Sequence, residues 1–336
     1  MSKYNFKETR FGEHKSIVLS NDNDGTSFEV ALQGATPLKF NIPFNGNSFD
    51  ILDGFASPRE FDAAKGARCW IMTPFANRIP GGKYNFNGKE YKLEPIFPRS
   101  EVIHGFTSYE NFELKGTQIS DSFIEVSLQN KKIRPGIFQG YPFSIDVTVM
   151  FKLEKNKLTI QVIAENTGSI NAPFGTGWHP YFKTSDKGIE HLILTLDAKQ
   201  IILIDNSYIP LQGEKAYGSI TDFPRLDFGS HLPEQKRIIN GRTLDNCFSN
   251  LKIESGGFSR SSIFDPENGL RITMFQKGGV TLAFSGNTLA LRARKSIALE
   301  PMQFITNAFN RDELKDQISV EPGMKSVFEF GVEITK

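Results

Sequence analysis

The chain has 336 residues, with 39 Lys and Arg against 38 Asp and Glu, for a net charge of +1. That length is enough to bury a large core, and the interspersed charges create no field for nucleic acid or an anionic membrane. Only two cysteines occur, Cys69 and Cys247, which excludes a disulfide framework and a Cys-x-x-Cys zinc site.

In chain order, Phe28, Val30 and Leu32 alternate along the sequence, which predicts a strand with one buried face. Pro58 to Ala64 predicts a short turn of helix. Asn77 to Leu93 reads as loop, strand, tight turn and strand, with Asn87-Gly88 as the hairpin signal. Arg78 stands just before Pro80-Gly81-Gly82, where it can reach into a cleft. Phe143, Ile145, Val147, Val149, Phe151 and Leu153 point one way, and Leu158, Ile160, Val162 and Ala164 resume the pattern after a turn at Glu154 to Lys157. This is a long hairpin with one buried and one wet face. Leu192-Leu194-Leu196, Val280-Leu282-Phe284 and Phe328-Phe330-Val332-Ile334 repeat the same period, and Asn310 to Leu314 predicts a second short helical turn.

Helical periodicity is scarce, and the 30 Phe suit half-buried pleated surfaces. The fold expected is mostly β, a large antiparallel β-sandwich. No linker or composition break divides residues 1–336, so a single domain is expected. The run from Met1 to Glu8 lacks the apolar segment of a signal peptide, and no stretch is long enough to span a bilayer. A soluble cytoplasmic protein without membrane or nucleic-acid partners is the expectation.

Three segments mix polar and apolar residues in a way that invites chemistry. Glu300 closes the apolar run Ile297-Ala298-Leu299, and Pro301 ends the strand behind it. A carboxylate there is costly unless it has a partner or a task. It is either a proton acceptor or half of an ion pair with Arg78, Arg292 or Arg294. His179, between Trp178 and Pro180-Tyr181-Phe182, is either a packed strand-end histidine or a general acid shielded by aromatics. His104 before Gly105 is by itself a turn signal, and so is Asp245 before Asn246. His104, His179 and Glu300 are acceptable metal ligands, but they lack the short spacing that organises such a site. No P-loop, dinucleotide fingerprint or Gly-x-Ser-x-Gly elbow is present.

Taken in order, these segments resemble the aldose 1-epimerase (galactose mutarotase) family. The resemblance runs through Leu32-Gln33-Gly34-Ala35-Thr36, Asp50-Ile51-Leu52-Asp53-Gly54-Phe55, Asn77-Arg78-Ile79-Pro80-Gly81-Gly82-Lys83, Ile103-His104-Gly105, His179-Pro180-Tyr181-Phe182, Leu244-Asp245 and Leu299-Glu300-Pro301. It implies a β-sandwich fold, Glu300 as catalytic base and His179 as catalytic acid. Asn77, Arg78, His104, Asp245 and Trp178 would bind or support the sugar, with no cofactor and no metal. Phe106, Trp178, Tyr181 and Phe182 are further candidates to pack on a pyranose face, against a reading as plain core. Phe106 and Phe112 stand where better-known members carry a second Gly and a Trp, and Trp178 stands where another His is common. Those departures resemble a divergent bacterial branch.

The implied reaction interconverts α and β anomers of a hexose such as glucose or galactose, by acid–base ring opening and closure, in a monomer or homodimer. Two alternatives stand beside it. One is epimerisation of a phosphorylated hexose, with Arg99 or Lys183 as phosphate partner. The other is a non-catalytic carbohydrate-binding module on the same fold.

Overall fold

The computed structural model describes residues 3–96 and 99–336; Met1 and Ser2, at the head of the N-terminal run read above, lie outside them. The long hairpin forms as its alternation dictates. Ile145–Glu154 and Lys157–Asn166 pair antiparallel through a two-residue turn at Lys155-Asn156. Ile145, Val147, Val149, Phe151 and Leu153 on the first strand, and Leu158, Ile160, Val162 and Ala164 on the second, are fully buried. With Lys325–Thr335 beside it, this hairpin forms the middle of an eight-stranded sheet.

Phe151, Ile160 and Phe330 sit in one cross-strand row of that sheet, on its buried face. At one end of the row, Phe151 packs on Phe28 of a five-stranded meander built from residues 4–50, with ring centroids 5.3 Å apart. At the other end, Phe330 stacks on Trp178 of a second eight-stranded sheet at 5.9 Å. The result is one broad sheet facing two others across a shared apolar layer, an antiparallel sandwich. A single buried cluster runs from Tyr4 to Ile334.

Turn and helix signals take their expected forms. Asn87 (φ 51°) and Gly88 (φ 75°) both occupy the left-handed region that a type I′ hairpin requires, joining Lys83–Phe86 to Lys89–Lys92. Pro58–Asp62 is a short helix capped by Ser57, whose Oγ accepts the Glu60 N–H at 3.3 Å. The expected turn at 310–314 becomes two single turns, Ala308–Asn310 and Asp312–Leu314, followed by Lys315–Ile318. No helix among the described residues is long and apolar enough to cross a membrane.

Candidate active site

The second eight-stranded sheet builds the site by register. Ile297–Met302 lies between Val280–Phe284 on one side and two short strands, Gly177–Trp178 and Tyr181–Phe182, on the other. Gly177 faces Met302 and Tyr181 faces Ala298, so the same register sets His179 directly across from Glu300. Pro180 has no N–H and breaks the ladder at that point. The His179 main chain is held from the other side instead. Its N–H donates to the Trp70 carbonyl at 3.0 Å, and its carbonyl accepts the Cys69 N–H at 2.8 Å. His179 Nε2 thereby stands 3.4 Å from Glu300 Oε1, with both side chains buried.

Among the described residues, Glu300 has no arginine partner within 4 Å. Arg292 pairs with Asp53 and Glu60, and Arg294 with Glu190, so the structural ion-pair reading of Glu300 is not the one the fold adopts. Glu300 Oε2 and His179 Nδ1 make no hydrogen bond with the described residues. Around the carboxyl lies an apolar floor that includes Met72, Cys247, Leu282 and Met302.

His104 joins from a neighbouring loop. Its ring centroid is 5.2 Å from that of His179, nearly perpendicular, and its N–H donates to the Asn77 carbonyl at 3.0 Å. His104 (φ 60°) and Asn77 (φ 58°) both sit in the left-handed region. Such backbone is costly for non-glycine residues and concentrates where geometry is functional. Gly105 makes it possible: a Cβ there would fall 1.9 Å from the Thr73 carbonyl oxygen. Asn77 Oδ1 accepts the Arg78 N–H at 2.9 Å and Arg78 Nη1 at 3.3 Å, which steers the guanidinium. Asp245 is half-buried on the adjoining strand Asp245–Leu251, opposite Phe284.

Burial dominates the electrostatics. It pushes the Glu300 carboxyl well above the usual range; Asp245 adds to the rise and Arg78 opposes it. It pushes His179 down to about 3, with Arg99 the next cause. His104 is also lowered, by burial first and then by His179, Arg99 and Arg78. Burial therefore favours a neutral pair with the proton on Glu300, the reverse of the carboxylate and imidazolium that the family resemblance assigns.

The aromatic expectations are corrected by strand parity. Trp178 points opposite to His179, into the layer between sheets, where Nε1 donates to the Cys69 carbonyl at 3.1 Å. It is fully buried and offers no face to a sugar. Phe182 shares that core, and Phe106 stacks on Phe138 at 4.1 Å. Tyr181 does lie beside the site, stacked on His179 at 4.9 Å, but it is almost wholly covered. Phe284 is partly open, edge-on to Tyr181 at 6.3 Å. The run Val280-Leu282-Phe284 forms the expected strand, yet its apolar side chains line the site while Thr281 and Ala283 face the fully buried layer.

Arg68 is a further member of the site, outside the expected set. It is buried beneath the site, with Nη1 2.8 Å from Asp53 Oδ2 and its guanidinium 4.8 Å from the Tyr181 ring. The Asp50-to-Phe55 motif was the available signal, because a buried Asp53 needs a cationic partner. No group of three or more His, Cys, Asp or Glu among the described residues is arranged to hold a metal ion.

Comparison with known proteins identifies the family and the fold. A family model described as aldose 1-epimerase matches residues 15–332. The uncharacterised protein YihR of Escherichia coli K12 is 26% identical over 247 residues, 71% of each chain. Galactose mutarotase of Sus scrofa is 27% identical over 213 residues, which span 62% of this chain and 59% of that one. Among solved structures, galactose 1-epimerase from Lactobacillus acidophilus superposes with a TM-score of 0.80 at 18% identity, over 100% of this chain and 99% of that one. The chain belongs to the aldose 1-epimerase family.

Proposed function

We propose that this epimerase interconverts the α and β anomers of a hexose, with His179 and Glu300 as its acid–base pair. The observation that carries this reading is the 3.4 Å approach of two buried groups whose other polar atoms lack hydrogen-bond partners among the described residues. The C1 hydroxyl and the ring oxygen are bonded to the same carbon. A base for one and an acid for the other must therefore sit side by side, as these two do.

Glu300 takes the C1 hydroxyl proton while His179 gives a proton to the ring oxygen, and the ring opens to the aldehyde. Rotation about C1–C2 and closure on the other face follow, with the two roles exchanged. The neutral pair and the carboxylate–imidazolium pair contain the same single proton. Sugar oxygens hydrogen-bonded to both groups offset part of their burial penalty and draw the proton from Glu300 to His179. His104, Asn77, Arg78 and Asp245 bind the remaining hydroxyls, and Phe284 packs on the apolar face of the ring. We read the whole chain as one domain, supported by the buried cluster that runs its length.

A hexose with an anionic group is the second reading, favoured by Arg99. Its guanidinium lies 4.4 Å from the Trp70 ring and its Nε donates to Tyr109 Oη at 3.3 Å. Among the described residues it has no carboxylate partner within 4 Å. Lys183 does not share this position, since it lies over Phe49.

Polarimetry of freshly dissolved α-D-glucose, α-D-galactose and α-D-glucose 6-phosphate, with Glu300→Gln and His179→Asn beside wild type, tests both readings. Acceleration by wild type and loss in both variants supports the pair. Inertness on every sugar overturns it, and a preference for the phosphorylated sugar favours the second reading.

A further inference from the structure

The polar groups gathered around Glu300 and His179 account for one pyranose ring, yet a separate cavity opens beside them. It measures about 720 Å³ and is lined by Arg78, Pro80, Leu93, Glu101, Ser207 and Tyr208 among others. That is within the range of small-molecule sites. Arg78 is its link to the catalytic cleft, because Asn77 holds both the Arg78 side chain, through Oδ1, and the His104 main chain, through its carbonyl.

Tyr208 is the unusual member. It is 49% exposed and holds a left-handed backbone, φ 62°, which is a rare state for a bulky residue. The loop is built to keep it there. Asp205 Oδ1 accepts the N–H groups of Ser207 (2.8 Å) and Ile209 (3.0 Å), and the Asp205 carbonyl accepts the Tyr208 N–H (3.1 Å). The Arg78 guanidinium lies 5.4 Å from the Tyr208 ring centroid. The result is an aromatic ring standing at the cavity wall in a braced, strained turn.

Charge says what fits. The cations lining the cavity, Arg78 and Lys92, are each 3.4 Å from a lining carboxylate, Glu101 and Glu94. The lining is therefore balanced, which suits a neutral ligand rich in hydroxyls and gives a phosphate no net attraction. An aromatic ring that shares its cavity lining with serine hydroxyls and carboxylates suits the apolar face and hydroxyl edge of a sugar.

We propose that this cavity is a second sugar subsite, with Tyr208 as its platform, so that the preferred substrate is the reducing ring of a neutral disaccharide rather than a free hexose. The inference rests on the anomerase reading of the catalytic pair. Ring opening needs a free C1 hydroxyl in the catalytic cleft, so the second unit is joined through another hydroxyl of the reacting ring.

The test compares kcat/KM for glucose, maltose, cellobiose and isomaltose by polarimetry, in wild type, Tyr208→Ala and Tyr208→Phe. Calorimetric titration of the same sugars gives a readout independent of turnover. The expected result is a wild-type preference for at least one disaccharide, which Tyr208→Ala reduces roughly threefold to tenfold more than it reduces glucose turnover, consistent with one aromatic contact. Tyr208→Phe keeps most of the preference. Equal losses on glucose and disaccharide, or turnover of glucose with no disaccharide preference in rate or binding, would overturn the subsite. Tighter disaccharide binding by a protein that turns over no sugar would leave the subsite standing and remove the anomerase reading.

Discussion

Replacing Glu300 by Gln separates what this residue does for chemistry from what it costs the fold. The amide keeps the shape of a side chain that is 2% exposed, so packing against Leu282 and Met302 changes little. What disappears is the proposed proton acceptor. General-base assistance contributes roughly 10²–10⁴-fold, or about 2.7–5.4 kcal/mol of barrier, so kcat for mutarotation falls by that factor. Stability moves the other way. The folded-state pKa of Glu300 lies above its ordinary 4.5, so wild type is favoured below pH 4.5 and loses that advantage as pH rises through the folded value. Gln carries no such dependence. The variant is therefore expected to gain melting temperature relative to wild type as pH increases from 5 to 8, and a gain of about 1 kcal/mol moves Tm by roughly 2 °C in a chain of this size. Polarimetry and calorimetric melts on the same preparations read both effects. A variant within tenfold of wild-type kcat would refute the base, and a Tm difference independent of pH would refute the buried-carboxyl argument.

The buried imidazoles should govern acid sensitivity. His179 is lowered from 6.5 to about 3, so the stability of its neutral form is complete above pH 6.5 and declines as pH falls toward 3. The slope is at most about 1.4 kcal/mol per pH unit for each such histidine, and His179→Asn should flatten the Tm-versus-pH curve below 6.5. Arg68→Ala should destabilise by roughly 3–5 kcal/mol in urea melts, because it leaves Asp53 buried with only part of its charge compensation; a loss below 1 kcal/mol would show that Arg292 suffices. Phe284→Ala should raise KM severalfold with little change in kcat, and a fall in kcat alone would mean that Phe284 positions the pair instead of the sugar. The activity profile should show a broad plateau, since burial moves the Glu300 limb upward and the His179 limb downward; a narrow bell centred near neutrality would contradict those shifts.

Alternation is a local property, and it determined the strands. A side chain that must be dry every second residue leaves few other conformations, so the hairpin over 145–166 and the strand Lys325–Thr335 could be read directly from the chain. Asn87-Gly88 and the helical turn from Pro58 were equally local, because backbone sterics involve only neighbours. Glu300 and His179 stood out for the same reason, as titratable groups in surroundings that disfavour charge. Their meeting could not be read this way. It depends on a register between strands more than a hundred residues apart, and on Pro180 interrupting the ladder at the one place where the histidine must turn inward. Tertiary structure also decided which face each aromatic took. Trp178 and His179 are adjacent in sequence, yet only the packed sheets settle that the indole faces Phe330 and the imidazole faces Glu300. The same holds for Arg68, Phe284 and Tyr208, whose roles come from what lies across the fold. Period and propensity act within a few residues, whereas burial, charge and cavity shape belong to the assembled sheets.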